Sequence, residues 1–397
     1  MNEHKAVPNI RFKDFEDEWA EKKISNFIIK NSDKNKNLAI KNIESISNKT
    51  GFTRQSEQFD GYRVASQDIS NYYVISPNQF AYNPSRINVG SIAYKNKGED
   101  KSIISPLYIS FSTSSHINDH FLWFWFKTTS FKKQRIQFSE GGVRDTLPFE
   151  NLKKMEISFP LLQEQQKIGN LFAKLDKLLD LQQQKIDKLE LLKKALLQKL
   201  FPKHDADIPE LRFKGFNDEW KSYLLGKIAV FINGRAFKQN ELLDKGKYPV
   251  LRVGNFYTND KWFYSDLELP EKLYANKGDL LYTWSATFGP HIWKGDKVIY
   301  HYHIWKIIFS SEVSKQFALQ MLLNDKEELM NNTNGSTMIH LTKNEMEKKV
   351  VKIPIKPEQQ KIGNLLSKVD QLIELENRKL QNFQQVKKCL LQNMFVD

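Results

Sequence analysis

The residues of this 397-residue chain best suited to chemistry are arginine, asparagine, glutamine and lysine side chains in polar stretches, and that chemistry is recognition. Such side chains offer forked hydrogen-bond donors to base edges and positive charge to phosphates. In the first half the DNA-binding candidates are Arg54, Gln55, Arg63, Asn83, Arg86, Lys132, Lys133, Arg135 and Arg144. In the second they are Asn233, Arg235, Lys238, Arg252, Asn255, Trp284, Ser285 and His340. Each is equally at home as a solvated loop residue, so they form a pool and not yet a site.

Groups that make or break bonds are missing. Methyl transfer to adenine needs a glycine-rich cofactor turn and an Asn/Asp-Pro-Pro-aromatic loop. The nearest match, Asn83-Pro84-Ser85-Arg86, lacks the second proline and the aromatic, and no Walker A phosphate loop occurs. His116 and His120 stand at i, i+4, but no zincin glutamate follows His116 and no cysteine lies nearby, so no metal site is expected. His301 and His303 are expected to share a strand face in a structural role. Asp17-Glu18 recur as Asp218-Glu219, and adjacent carboxylates in a repeated segment suggest scaffold contacts, not acid–base work. The run Phe121-Leu-Trp-Phe-Trp-Phe126, followed by Lys132, Lys133 and Arg135, invites base stacking. Six bulky apolar residues in succession read better as a buried helix, with the trailing cations left to reach a phosphate.

What must position the candidates is a duplicated frame. Pro8-Asn-Ile-Arg-Phe-Lys-Asp-Phe-Glu-Asp-Glu-Trp19 recurs 201 positions later as Pro209-Glu-Leu-Arg-Phe-Lys-Gly-Phe-Asn-Asp-Glu-Trp220. Pro160-Leu-Leu-Gln-Glu-Gln-Gln-Lys-Ile-Gly-Asn-Leu171 recurs 194 positions later as Pro354-Ile-Lys-Pro-Glu-Gln-Gln-Lys-Ile-Gly-Asn-Leu365. The frame repeats while the stretches inside it differ, as reading two unlike targets requires. A tandem duplication whose halves have drifted is the plainer alternative. Gly141 and Leu147 align with Gly335 and Leu341, which puts Arg144 and Met338 to His340 on equivalent loops.

Each second motif opens a heptad seam. In the first, Ile168, Phe172, Leu175, Leu179, Ile186, Leu189, Leu196 and Leu200 alternate steps of four and three, with Gln182 and Lys193 in the gaps. Ile362, Leu366, Val369, Ile373, Leu380, Phe383, Leu390 and Met394 reproduce it, with Glu376 and Lys387 at the polar places. Two such helices with a domain between them favour antiparallel packing, although a dimerisation coiled coil has the same pattern. A helix over 164–200 spans roughly 55 Å at about 1.5 Å per residue, enough to separate DNA contacts by a helical turn of ~34 Å.

The stretches inside the frame carry short strand-like runs such as Tyr72–Ile75, Ser91–Tyr94, Val250–Val253, Leu280–Tyr282 and Ile304–Ile308, bounded by turn residues. The fold class expected is α+β: two globular domains, each with a twisted sheet, separated by two long antiparallel helices in a pseudo-two-fold repeat. The boundaries are 1–160 for the first domain, 161–203 for the first helix, 204–354 for the second domain and 355–397 for the second helix. A net charge of +13 suits a polyanion, though a membrane surface or a ribosome would also fit. The single cysteine, Cys389, excludes an intramolecular disulfide and fits a reducing compartment. The N-terminal stretch has no apolar core, so neither secretion nor membrane insertion is expected, and the cytoplasm is.

The lead-in Pro-x-Leu/Ile-Arg-Phe-x-x-Phe-x-x-Glu-Trp and the helix-opening Pro-x-x-x-Glu-Gln-x-Lys-Ile, each present twice, resemble those of the type I restriction-modification specificity subunit over the whole chain. The resemblance implies a non-catalytic reader of a split double-stranded DNA target, one half-site per domain, with the helices fixing the gap. It also implies two adenine-N6 methyltransferase subunits and, in the nuclease form, two ATP-driven restriction subunits. The helices and the frame around Trp19 and Trp220 would dock the methyltransferases. S-adenosylmethionine, ATP and magnesium would belong to those partners, with no cofactor on this chain. Two other classes remain open: a regulatory DNA-binding protein, which would bind tightly alone, and a self-sufficient methyltransferase, which would label DNA unaided.

Overall fold

A computed structural model of the chain describes residues 7–48, 50–55, 68–141, 145–203, 206–257, 259–285, 287–332 and 341–396. The first half runs β1 (Ala20–Lys23), β2 (Ile28–Lys30), β3 (Ile43–Ser47), β4 (Gly51–Arg54), β5 (Tyr73–Ile75), β6 (Gln79–Tyr82), β7 (Ile92–Tyr94), β8 (Ser102–Ile104) and β9 (Ile109–Thr113). Then follow α1 (Asp119–Trp125), α2 (Thr129–Phe138), α3 (Phe149–Leu152), β10 (Glu156–Phe159) and the long α4 (Leu162–Leu200). The second half runs β11 (Lys221–Leu224), α5 (Leu225–Ile228), β12 (Ala229–Asn233), β13 (Tyr248–Leu251), β14 (Phe263–Ser265), β15 (Tyr274–Ala275), β16 (Leu280–Thr283) and β17 (Gly289–Ile292). It closes with β18 (Val298–Tyr300), β19 (Ile304–Phe309), α6 (Lys315–Asn332), α7 (Lys343–Lys348), β20 (Val350–Ile353) and the long α8 (Lys356–Asn393).

The duplication written in the frame extends to the topology of the unlike stretches. The first domain orders its strands β2-β9-β6-β7 and β4-β3-β8-β5, with a β1-β10 pair; the second orders β12-β19-β16-β17 and β14-β13-β18-β15, with a β11-β20 pair. The β3–β8 and β13–β18 ladders are parallel, and every other ladder between these strands is antiparallel.

Each domain therefore holds two four-stranded sheets where the sequence suggested one, and side-chain alternation is the reason. Along β6, Phe80 and Tyr82 face a cluster with α1 and α4, while Ala81 between them faces Ile46, Ile75 and Ile104 of the other sheet. Along β16, Leu280 and Tyr282 face the helices and Leu281 joins Leu251, Val298 and Tyr300. Both faces of these strands are apolar, so both must be covered. The Phe121–Phe126 run lies on α1 and its end, buried at every position except the half-buried Trp123. Asn118 starts that helix by accepting a hydrogen bond from the Phe121 N–H at 3.1 Å.

The chain divides into two compact units, residues 1–183 with 379–397, and residues 184–378. They do not follow the four spans read from the sequence, because each unit includes part of both long helices. Within the first unit Met394 and Phe395 pack with Ile168 and Phe172, and Lys387 pairs with Asp176. Within the second, Leu197 and Leu200 pack with Ile362 and Leu366, while Lys193 lies 2.5 Å from Asp370. High numbers of one helix thus meet low numbers of the other in each unit, which is antiparallel packing. Of the seam residues, Ile168, Phe172, Ile186, Leu200, Ile362, Leu366 and Met394 are buried, and Leu175, Leu179, Leu189, Leu196, Val369, Ile373, Leu380, Phe383 and Leu390 are half-buried. The seam lysines Lys193 and Lys387 are ion-paired to two aspartates at equivalent repeat positions.

The repeated motifs meet at the root of each long helix. Arg11 donates two hydrogen bonds of 2.8 Å to Glu164, and Arg212 donates two of 2.8 Å to Glu358. The Gln165 amide donates to the Pro160 carbonyl and accepts from the Asn118 N–H; Gln359 does the same with Pro354 and Ser314. Lys167 lies over Phe12 and Phe15, and Lys361 over Phe213 and Phe216. A Cβ on Gly169 would meet the His120 Cβ at 2.7 Å, and one on Gly363 the Phe317 nitrogen at 2.8 Å, so only glycine allows this approach.

Trp19 and Trp220, proposed from the sequence as partner-docking residues, are instead buried at 4% and 3% exposure. Trp19 meets Phe121 edge-on at 5.8 Å, and Trp220 meets Phe317 at 5.8 Å. An indole consumed by core packing cannot be offered to a partner.

Arg212→Ala should leave the fully buried Glu358 carboxylate unpaired and cost roughly 3–5 kcal/mol. Replacing both partners, as in Arg212→Met with Glu358→Leu, should cost much less, and urea unfolding followed by tryptophan fluorescence distinguishes the two.

Candidate nucleic-acid interface

In the second domain several candidates converge where β12 and β16 end and β19 begins. Backbone hydrogen bonds join the three: Gly234 N–H to Ile304 O at 3.0 Å, Tyr302 N–H to Arg235 O at 3.0 Å and Trp284 N–H to His303 O at 3.1 Å. The His301 N–H donates to Leu251 O at 2.9 Å, which brings the β13 end and Arg252 to the same place. The cluster holds Asn233, Arg235, Arg252, Trp284, His301, Tyr302 and His303. His301, Tyr302 and His303 form a turn before β19, not the strand face expected of the two histidines. Tyr302 is 38% exposed, and Phe237 stacks near His301 at 6.4 Å with the Arg235 guanidinium 5.1 Å over its ring.

Not every candidate here is free to read a base. Asn255 accepts from the Arg252 N–H and donates to the carbonyls of Asn259 and Lys261, so its amide is used in holding its own loop. Trp284 stacks on Trp305 at 5.8 Å and donates its indole N–H to Tyr302 O at 2.9 Å, which makes it a support of the turn. Arg235 is tied to Glu241 at 2.7 Å. Asn233 and Lys238 are exposed, while Arg252 and Ser285 are half-buried.

The first domain builds the equivalent edge from the β6 end and the turn before β9. Asn83 accepts from the Ser85 N–H at 3.0 Å and so shapes its turn, leaving Arg86 exposed. The Leu147 N–H donates to Pro84 O at 3.0 Å, which sets the 145–147 stretch beside that turn. Leu107, in the turn before β9 at the position of Tyr302, is 74% exposed. Sequence reading missed Leu107 and Tyr302 and gave His303 a structural role; the available signal was a bulky residue in a turn immediately ahead of an apolar strand. Arg54 is exposed at the end of β4 and Gln55 half-buried after it. Lys132 and Lys133 are exposed, but on α2 and not in a loop. Arg135, on the same helix, is buried with its guanidinium 3.8 Å from Asp145 and so is withdrawn from any ligand. Arg63, Arg144 and His340, with the Met338 to His340 loop, lie outside the described residues.

Among the described residues no group of three or more His, Cys, Asp or Glu side chains could hold a metal ion, and no helix is long and apolar enough to cross a membrane. Burial pushes His291 down to about 4, and burial with His303 and Arg252 nearby does the same for His301.

Two domains of one topology, set in one repeated frame and offering unlike loops at the same strand ends, define a duplicated recognition scaffold. The chain belongs to the family of the type I restriction modification DNA specificity domain, which matches residues 16–191 and 217–385. It is a non-catalytic specificity subunit, of a family that recognises DNA targets. It is 24% identical over 327 residues to the type I restriction enzyme MjaVIII specificity subunit of Methanocaldococcus jannaschii, covering 77% of this chain and 75% of that one. It is also 24% identical over 160 residues to the EcoBI specificity subunit of Escherichia coli, covering 39% of this chain and 34% of the other. Its fold is like that of the type I restriction-modification S subunit from M. genitalium, with a TM-score of 0.64, 15% identity and coverage of 98% and 99%.

Native His291 and His301 stay neutral where an unfolded histidine, with its ordinary value of 6.5, takes a proton. Their contribution to stability is complete above about 6.5 and is lost as pH falls towards about 4. The urea midpoint of the second domain should therefore drop between pH 7 and pH 5, and His291→Gln should flatten that drop.

Proposed function

We propose that this chain reads a bipartite double-stranded DNA target, one half-site per domain, and directs adenine-N6 methylation, and restriction where a nuclease subunit is present, by partner subunits. One observation carries the reading: the frame is repeated with most of its residues unchanged, while the strand-end loops it positions carry Leu107 and Arg86 in one domain and Tyr302, Asn233 and Arg252 in the other. A duplicated frame suits two equivalent partners, and unlike loops suit two unlike half-sites.

In this reading two methyltransferase subunits, and two restriction subunits in the full complex, assemble on the chain in the cytoplasm. S-adenosylmethionine, ATP and magnesium belong to those partners. Arg54, Arg86, Asn233, Lys238 and Arg252 face the DNA, Leu107 offers an apolar contact to a thymine methyl, and Tyr302 packs against a base edge. Lys132 and Lys133 meet phosphates, so Lys132→Ala should weaken binding across all sequences and lower the salt dependence by about one charge. Arg252→Ala should cost ~1–3 kcal/mol at one base pair of one half-site. The helix pair sets the unspecified gap, and removing one heptad from each helix should shorten or abolish it.

Modified-base sequencing of DNA from cells carrying the chain and its methyltransferase, against cells lacking the chain, tests the whole reading. A split N6-methyladenine motif dependent on the chain is expected. Exchange of residues 21–159 for another such domain should alter one half-site only; a change in both would sink the two-reader assignment.

A further inference from the structure

Each unit carries a cleft at the root of its long helix, and the two clefts are copies of one another. The first, about 690 Å³, lies between Asp17-Glu18 and Pro160-Leu161-Leu162 and is floored by Phe27 and Phe159. The second, about 640 Å³, lies between Asp218-Glu219 and Pro354-Ile355-Lys356, with Ile228 and Ile353 beneath. The residues on both walls come from the repeated motifs, not from the unlike loops. The clefts include Ser115 and His116 just after β9, and Ser310 and Glu312 just after β19. The turns of Leu107 and Tyr302 precede those same strands, so each cleft sits at the strand end away from the candidate DNA edge.

Two features of the clefts are those of an unoccupied interface. Leu161 is 59% exposed and Ile355, its repeat equivalent, 49% exposed, although both stand beside apolar floors able to cover them. Beside each lie two exposed carboxylates, Asp17 and Glu18 or Asp218 and Glu219, of which Asp17 and Asp218 act electrostatically on Arg11 and Arg212 without a close ion pair. Lys221, just past Glu219, also lines the second cleft, as Lys22 lines the first, and Lys356 on the far wall of the second is turned to the Ser311 carbonyl at 2.5 Å. On a chain of net charge +13, the same exposed acidic pair stands in both repeats, beside Lys22 in the first cleft and beside Lys221 and Lys356 in the second. The exposed carboxylates give a basic segment opposite charges to pair with.

We propose that the two clefts are sockets for a partner segment that presents one apolar side chain flanked by lysine or arginine, carried once by each copy of a partner that assembles twice. The apolar side chain fills the cleft and covers Leu161 or Ile355, and its basic neighbours pair with the carboxylates, an anchor ringed by charge. The inference rests on the reading above that two methyltransferase subunits assemble on this chain. It moves their docking from the buried Trp19 and Trp220 to the exposed carboxylates immediately before them.

Native mass spectrometry and titration with the methyltransferase subunit test it. The wild-type chain should take up two copies. Glu18→Lys with Leu161→Ser should take up one, Glu219→Lys with Ile355→Ser one, and the fourfold variant none, each site losing affinity by about tenfold or more. All four positions are exposed, so thermal unfolding of the variants should match wild type, and Arg86→Ala should leave the copy number at two. Uptake of two copies by the fourfold variant at wild-type affinity overturns the sockets and leaves the two-partner reading standing. A wild-type chain that takes up no copy defeats that reading, and the sockets with it.

Discussion

The buried ion pair between Arg11 and Glu164, made again by Arg212 and Glu358, is the constraint on which the structure hangs. The glutamates have 1% and 0% of their side chains exposed, so neither carboxylate can turn to water if its arginine leaves. A pair of this kind adds little net stability over apolar substitutes, but it is intolerant of any other arrangement. It joins a lead-in segment to the first turn of a helix 153 or 146 residues further along the chain. The domain between the two is thereby closed at its base, and the first turn of the long helix is held against it through Gln165 or Gln359.

Once the base is closed, the sheets need satisfy only packing. Strands two to six residues long, the central β6 and β16 apolar on both faces, are covered on one side by a second sheet and on the other by α1 or α6 with the root of a long helix. The exposed residues of the loops at the far strand ends, such as Arg86, Leu107, Asn233 and Tyr302, take no part in that packing, and they differ between the halves without disturbing it. Two surfaces with different obligations result: a repeated one at the helix roots and an unlike one at the strand ends. The first has the symmetry that the proposed pair of partners requires, and the second the asymmetry that the proposed split target requires.

The candidate pool drawn from sequence was a list of donors, and folding divided it by what else could use each donor. Asn255 and Asn83 were taken by their own turns, Arg235 by Glu241 and Arg135 by the interior of its helix face. Arg86, Lys132, Lys133, Asn233 and Lys238 remained exposed. Nothing in a single sequence separates these groups, because an asparagine that closes a turn and one that faces solvent occupy the same kind of polar stretch. Leu107 and Tyr302 went unnoticed for the converse reason: bulky apolar or aromatic residues near strands are ordinarily core, and only the turn they occupy exposes them.

The chain's duplication, its two long helices, their seam and the buried aromatic run were all legible in one dimension. Repeats are matched by identity, and helical seams depend on neighbours three and four residues away. The sequence also placed Trp19 and Trp220 at equivalent points, but not whether they face outward or inward. Tertiary structure alone decided that, along with the second sheet in each domain, the Arg–Glu pairs and the convergence of strand ends far apart in the chain. Those depend on pairings such as β3 with β8 and β12 with β19, whose partners lie dozens of residues apart and are chosen by the burial of both faces at once.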